Sequence, residues 1–141
     1  NAKLTAIPAA HYDPEHDERG YRYLGFVIEW NGVTFYHSGD TIVFPGYMER
    51  MKSLPRADVA LVAANGRDAY RDEFTVTGNL QPSEAVWLAQ EFGWDMLIGG
   101  HNDLYLWNTL RAGELADEVR RRNPRQKHHT LQPGELMLYI K

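Results

Sequence analysis

The chain has 141 residues, 43% of them hydrophobic and 24% charged, which suits one globular core and is too apolar for a disordered segment. A formal net charge of -4 argues against a dedicated nucleic-acid module. With no cysteine there are no disulfides or thiolate metal sites, so any metal must be held by His, Asp and Glu.

Leu4 to Ala10 is a short apolar strand candidate that ends in His11, and Tyr12 to Gly20 is polar and turn-rich, which predicts a loop. Tyr21 to Trp30 reads as a strand. Asn31-Gly32 is a strong hairpin signal and pairs that strand with Val33–Ser38 as a ribbon ending at Asp40. Met48, Met51 and Leu54 predict a helix from Tyr47 to Leu54, closed by Pro55. Asp58 to Ala64 reads as a buried strand running into Asn65-Gly66-Arg67-Asp68, and Arg67 to Leu80 has no clear period. Pro82-Ser83-Glu84 opens a helix that Gly93 stops. Asp95 to Gly100 is a further buried strand, running into His101-Asn102-Asp103. A last helix, from Thr109 or Ala112 to Arg122, is followed by two short terminal strands, Lys127–Leu131 and Glu135–Ile140. No apolar run approaches the ~18 residues that span a bilayer, and the first residues lack a secretory signal, so a cytoplasmic protein without membrane contact is expected.

The polar residues fall at strand ends: His11, then His37 and Asp40, then Asn65, Arg67 and Asp68, then His101. In an α/β sheet the crevice outside the carboxyl ends of the strands is where ligands bind, so these groups are candidates for one site. Imidazole and carboxylate together suit a borderline cation such as zinc or manganese, and one carboxylate can bridge two ions. Taken singly, each has a plainer reading: a loop residue for His11, a hydrogen-bonded structural side chain for His37, a hairpin corner for Asp40, a turn residue for His101 and a surface salt bridge for Arg67.

Pro8-Ala9-Ala10-His11, Phe35-Tyr36-His37-Ser38-Gly39-Asp40-Thr41 and Gly99-Gly100-His101 resemble, in order and approximate spacing, the later metal motifs of the metallo-β-lactamase superfamily. His-Ser-Gly-Asp and His101-Asn102-Asp103 look most like the branch containing L-ascorbate-6-phosphate lactonase. The resemblance covers nearly the whole chain, but only about the second half of the family's domain. It implies an α/β fold, half of an αββα sandwich, in which residues 1–141 form the carboxyl-terminal portion. It also implies a site for two divalent ions, zinc or manganese, with His11 and His101 as metal ligands and Asp40 as the bridging carboxylate that orients the attacking hydroxide. His37 is given a catalytic or substrate-facing role beside them, and Asn65, Arg67 and Asp68 a place near the substrate, with Arg67 gripping an anionic group.

Two departures accompany the resemblance. The family's His-x-His-x-Asp-His segment is absent, and Asn102 stands where relatives often carry an aromatic residue or a second histidine. With a start at Asn1 rather than Met, this leads to the expectation that an amino-terminal half is missing and that the chain associates with that half, another subunit or a copy of itself. The expected activity of the complete enzyme is metal-dependent hydrolysis of a lactone or ester of a small anionic, sugar-phosphate-like substrate by a metal-bound hydroxide. A nucleic-acid phosphodiesterase of the same superfamily, and a non-catalytic half-domain that completes a partner, are the alternatives.

Overall fold

Short apolar runs punctuated by turn residues favour strands, and the computed structural model, which describes residues 1–103 and 105–141, is built around them. Strand β1 (Lys3–Pro8) precedes a small ribbon, β2 (His16–Asp17) with β3 (Gly20–Tyr21), and then come β4 (Leu24–Trp30) and β5 (Val33–His37). The rest alternates: α1 (Tyr47–Lys52), β6 (Val59–Ala63), α2 (Ala69–Glu73), α3 (Pro82–Phe92), β7 (Met96–Gly100), α4 (Ala112–Arg122) and β8 (Lys127–Thr130). Among the described residues no helix is long and apolar enough to cross a membrane.

Six strands form one mixed sheet in the order β1-β4-β5-β6-β7-β8. Asn31-Gly32 folds β4 back onto β5 with Trp30 opposite Val33, the tight hairpin that this dipeptide predicts. β5 to β8 run parallel, and β1, antiparallel to β4, points the same way as β5. The carboxyl ends of β1, β5, β6 and β7 therefore share one edge of the sheet.

The register assigns the two faces. Val27, Tyr36, Ala60 and Leu97 lie in one row and join Leu80, Val86, Leu88, Leu115 and Val119 in the buried core against the helices. Each large side chain so buried stabilises the fold by about 1.5–3 kcal/mol. The opposite face carries Leu4, Ile28, Phe35, Val59 and Met96 in one row and Ala6, Phe26, His37, Leu61 and Ile98 in the next. It is apolar and only partly covered: on it or at its edge, Leu4 and Trp30 are 62% and 59% exposed.

Three segments differ from the sequence-based expectation. The loop over residues 12–20 contains the β2 strand and the start of β3, too short for any periodicity to reveal, and β4 begins only at Leu24. The stretch without a period contains α2, started by Asp68, whose side chain accepts the Arg71 N–H at 2.9 Å. Glu135–Ile140, expected as a strand, has no strand pairing. Side-chain anchors hold this segment instead of a ladder: the Tyr139 hydroxyl donates to Asp95 at 2.8 Å, and the Lys141 ammonium donates to Asp58 and to the Gly32 carbonyl, each at 2.8 Å.

Candidate metal centre

The ends of β1 and β5 are clipped together by one buried hydroxyl. Thr41 Oγ1 accepts the Ala10 N–H at 3.1 Å, and the Ile42 N–H donates to the Ala10 carbonyl at 2.8 Å, so the residue preceding His11 is fixed against the residues following Asp40. Leaving that amide without its partner would cost about 1–3 kcal/mol. His11 Nδ1 lies 3.0 Å from the Gly78 carbonyl. Because a carbonyl only accepts, Nδ1 carries the proton, and in the neutral ring Nε2 is then the lone-pair nitrogen, the tautomer a metal-ligating histidine needs.

Ser38 and Gly39 set the position of Asp40. Ser38 is buried; its N–H donates to the Leu61 carbonyl and its Oγ accepts the Ala63 N–H, both at 3.0 Å, which ties the turn to β6. Gly39 has φ +61°, and a Cβ there would run into the Leu24 carbonyl oxygen. Past this corner the Asp40 side chain is 58% exposed, with Oδ2 3.7 Å from His101 Nε2. His101 itself leaves β7 with φ 65°, a left-handed conformation uncommon outside glycine and concentrated at functional sites.

His11, Asp40 and His101 line the same cavity of about 550 Å³ at the shared strand edge. Among the described residues no three His, Asp or Glu side chains close into a cage for an ion. His37 is not among the residues lining that cavity. It is exposed on the sheet face opposite the helices, and its Nδ1 accepts the Gly39 N–H at 3.0 Å, which places it as a brace of the turn.

The Asn65-Arg67-Asp68 stretch lies outside the cavity wall as well. Arg67 makes a bidentate pair with Glu84 at 2.6 and 2.7 Å and donates to the Asn79 carbonyl at 2.9 Å, leaving it engaged within the protein. Asp68 caps α2 and accepts from Arg71 Nε at 2.7 Å. Asn65 is buried and donates to Asn108 Oδ1 at 2.7 Å.

Burial alone would raise the Glu84 carboxyl, but the hydrogen bonds from Arg67 and from the Gln81 N–H, with the Arg67 charge, hold it below the usual glutamate range. A depressed carboxylate stabilises the fold above its unfolded-state pKa, about 4.3, and that stabilisation is lost as pH falls through the folded-state value. Unfolding free energy measured by urea titration is expected to drop below about pH 4.3, and to drop less steeply in Glu84→Gln. Equal slopes would remove the pair from the acid response.

Several site features were not read from the sequence. Thr41 and Ser38 are the buried hydroxyls that position Asp40 and His11, and Tyr105, Leu106, Trp107 and Asn108 line the cavity beside His101. The only signal for the latter was the run of large apolar residues in a stretch without helical or strand period.

A mixed sheet with helices on one face and imidazole and carboxylate donors gathered at its strand ends is the layer from which metallo-β-lactamase folds are made. The sequence model for the beta-lactamase superfamily domain matches residues 1–102, and the chain belongs to the metallo-β-lactamase superfamily. It is 34% identical over 107 residues to a UPF0173 metal-dependent hydrolase of Methanoculleus marisnigri, a match covering 73% of this chain and 43% of that protein. Among solved structures, Igni18, a metallo hydrolase from Ignicoccus hospitalis, aligns with a TM-score of 0.70 at 20% identity over 99% of this chain and 54% of its own. The isothiocyanate hydrolase from Delia radicum gut bacteria aligns with a TM-score of 0.74 at 14% identity, over 99% of this chain and 56% of its own. These structural likenesses establish the shared fold, and the chain spans about half the length of the relatives it matches.

Proposed function

We propose that the intact protein is a metal-dependent hydrolase in which His11, Asp40 and His101 hold a divalent cation. The observation that carries this reading is the meeting of Asp40 and His101 at 3.7 Å on a cavity that His11 also lines, from strands far apart in the chain. The donor set fits zinc or manganese, since imidazole nitrogen and carboxylate oxygen both serve such ions and the bond from His11 Nδ1 to the Gly78 carbonyl makes Nε2 the lone-pair nitrogen of the neutral ring. When bound, the cation supplies an activated water and polarises the oxygen of the scissile group. Asp40 and His101 hold their positions through the Gly39 corner and the left-handed turn at His101, and His37 acts on the site only by bracing that corner.

The remaining ligands belong, in this reading, to a second layer that also covers the apolar sheet face bearing Leu4, Phe26 and Trp30. That layer comes from the same polypeptide or from another subunit. The lactone or ester reading rests on the resemblance of His37-Ser38-Gly39-Asp40 and His101-Asn102-Asp103 to the lactonase branch of the superfamily. A nucleic-acid substrate is disfavoured by the net charge of -4 and by a cavity wall without Lys or Arg among its described residues.

Equilibrium dialysis of the intact protein against zinc and manganese, followed by assay of lactone and ester hydrolysis, tests the proposal. Retention of at least one divalent ion, and of two if Asp40 bridges a pair, with turnover that a chelator removes, is the expected result. Failure to retain either ion ends the proposal. Tight retention by residues 1–141 alone would remove the need for the second layer.

A further inference from the structure

We propose that the cleft takes an uncharged acyl compound bearing an apolar or aromatic group, and that Asn108 donates a hydrogen bond to the reacting carbonyl oxygen. This deepens the hydrolase reading above and rests on it.

Beside His101 the cavity is lined by a run of large apolar and aromatic side chains. Tyr105 stacks obliquely towards the His101 ring, with centroids 6.3 Å apart, and Trp107 and Leu106, which also line the cavity, are 56% and 97% exposed, with Val76 a further apolar lining residue. Large apolar side chains gathered at a ligand cavity supply burial for a ligand's apolar part. No Lys or Arg is among the described residues lining it. Arg67 is committed to Glu84 and the Asn79 carbonyl. Arg71 is committed to Asp68 at 2.7 Å, to the Asn65 carbonyl at 2.9 Å and to Asn108 Oδ1 at 3.1 Å. A phosphate or carboxylate on the substrate would therefore lose its water without gaining a cationic side chain from this wall.

The Arg71 contact also fixes which way the Asn108 amide points. A guanidinium only donates, so the atom facing it is the Asn108 carbonyl oxygen, which also accepts from Asn65 Nδ2 at 2.7 Å. Asn108 lines the cavity, and among the described residues no acceptor meets its Nδ2. The amide is thus held through its oxygen by a nearly buried arginine, with its N–H groups left for a ligand. A donor fixed before the substrate arrives is the arrangement that stabilises charge developing on a carbonyl oxygen.

The test compares γ-phenyl-γ-butyrolactone with a phosphorylated sugar lactone on the metal-loaded intact protein. The expected result is a kcat/KM at least ~10-fold higher for the phenyl lactone, from burial of its ring. Asn108→Asp keeps an acceptor for Arg71 and Asn65 while removing the donor; it is expected to lower kcat on the order of 10²-fold with an unchanged melting temperature. Trp107→Ala is expected to raise KM with little change in kcat. Equal or better use of the phosphorylated lactone, or an Asn108→Asp enzyme with full kcat, overturns the proposal. If neither lactone is cleaved, calorimetry with phenylacetamide decides the inference separately from the hydrolase reading: saturable binding weakened by both substitutions supports it, and no binding overturns it.

Discussion

Asp40→Ala is expected to lower the metal-dependent turnover of the intact protein on the order of 10²–10³-fold and to strip it of bound ion, while the thermal midpoint measured in chelator, where neither protein carries metal, stays in place. The separation of activity from stability follows from where the carboxylate sits. Its side chain is 58% exposed and its polar neighbour is His101 at 3.7 Å, whereas the corner that holds it is secured by Ser38 and Thr41. Exposed substitutions of this kind shift stability by about ±0.5 kcal/mol. Metal content by mass spectrometry, hydrolysis rate and a melting curve on one preparation check all three claims. Retained ion with unchanged turnover would sink the assignment, and a collapsed melting curve would mean that the carboxylate is structural.

The converse result is expected at the residue before it. Gly39→Ala should destabilise the protein by roughly 2–4 kcal/mol, because alanine is strained at φ +61° and its Cβ meets the Leu24 carbonyl and, at 3.2 Å, the Ala9 Cβ. Neither obstacle can swing aside, since the carbonyl is backbone and Ala9 is buried. The strand must give instead, which shifts Asp40 away from His101 and lowers turnover as well. A urea midpoint indistinguishable from the parent protein would show that the corner is more adaptable than its packing implies.

Elements governed by local rules were legible without coordinates. The Asn31-Gly32 hairpin, the buried runs at 59–63 and 96–100, and the helix from Pro82 to Gly93 each announce themselves within a few residues. His11, Asp40 and His101 were marked as candidates by their position after apolar strands, and the structure places all three on one cavity. What the sequence withheld were pairings made across distance. Arg67 looks like an anion grip until Glu84, 17 residues on in the first turn of α3, is seen to fill both arms of its fork. His37 sits beside Asp40 in the chain, yet strand alternation turns it to the other face of the sheet. Residues 135–140 alternate like a strand but find no ladder partner, and their outward side chains, Leu136 and Leu138 among them, stay in solvent.

The strand order has a kinetic corollary. An ion reaching from the end of β1 to the end of β7 can recognise only a chain in which the hairpin and both parallel crossovers have already assembled. A cation held as proposed would be a late lock: it would lengthen the lifetime of the finished molecule and leave the pace of its assembly untouched.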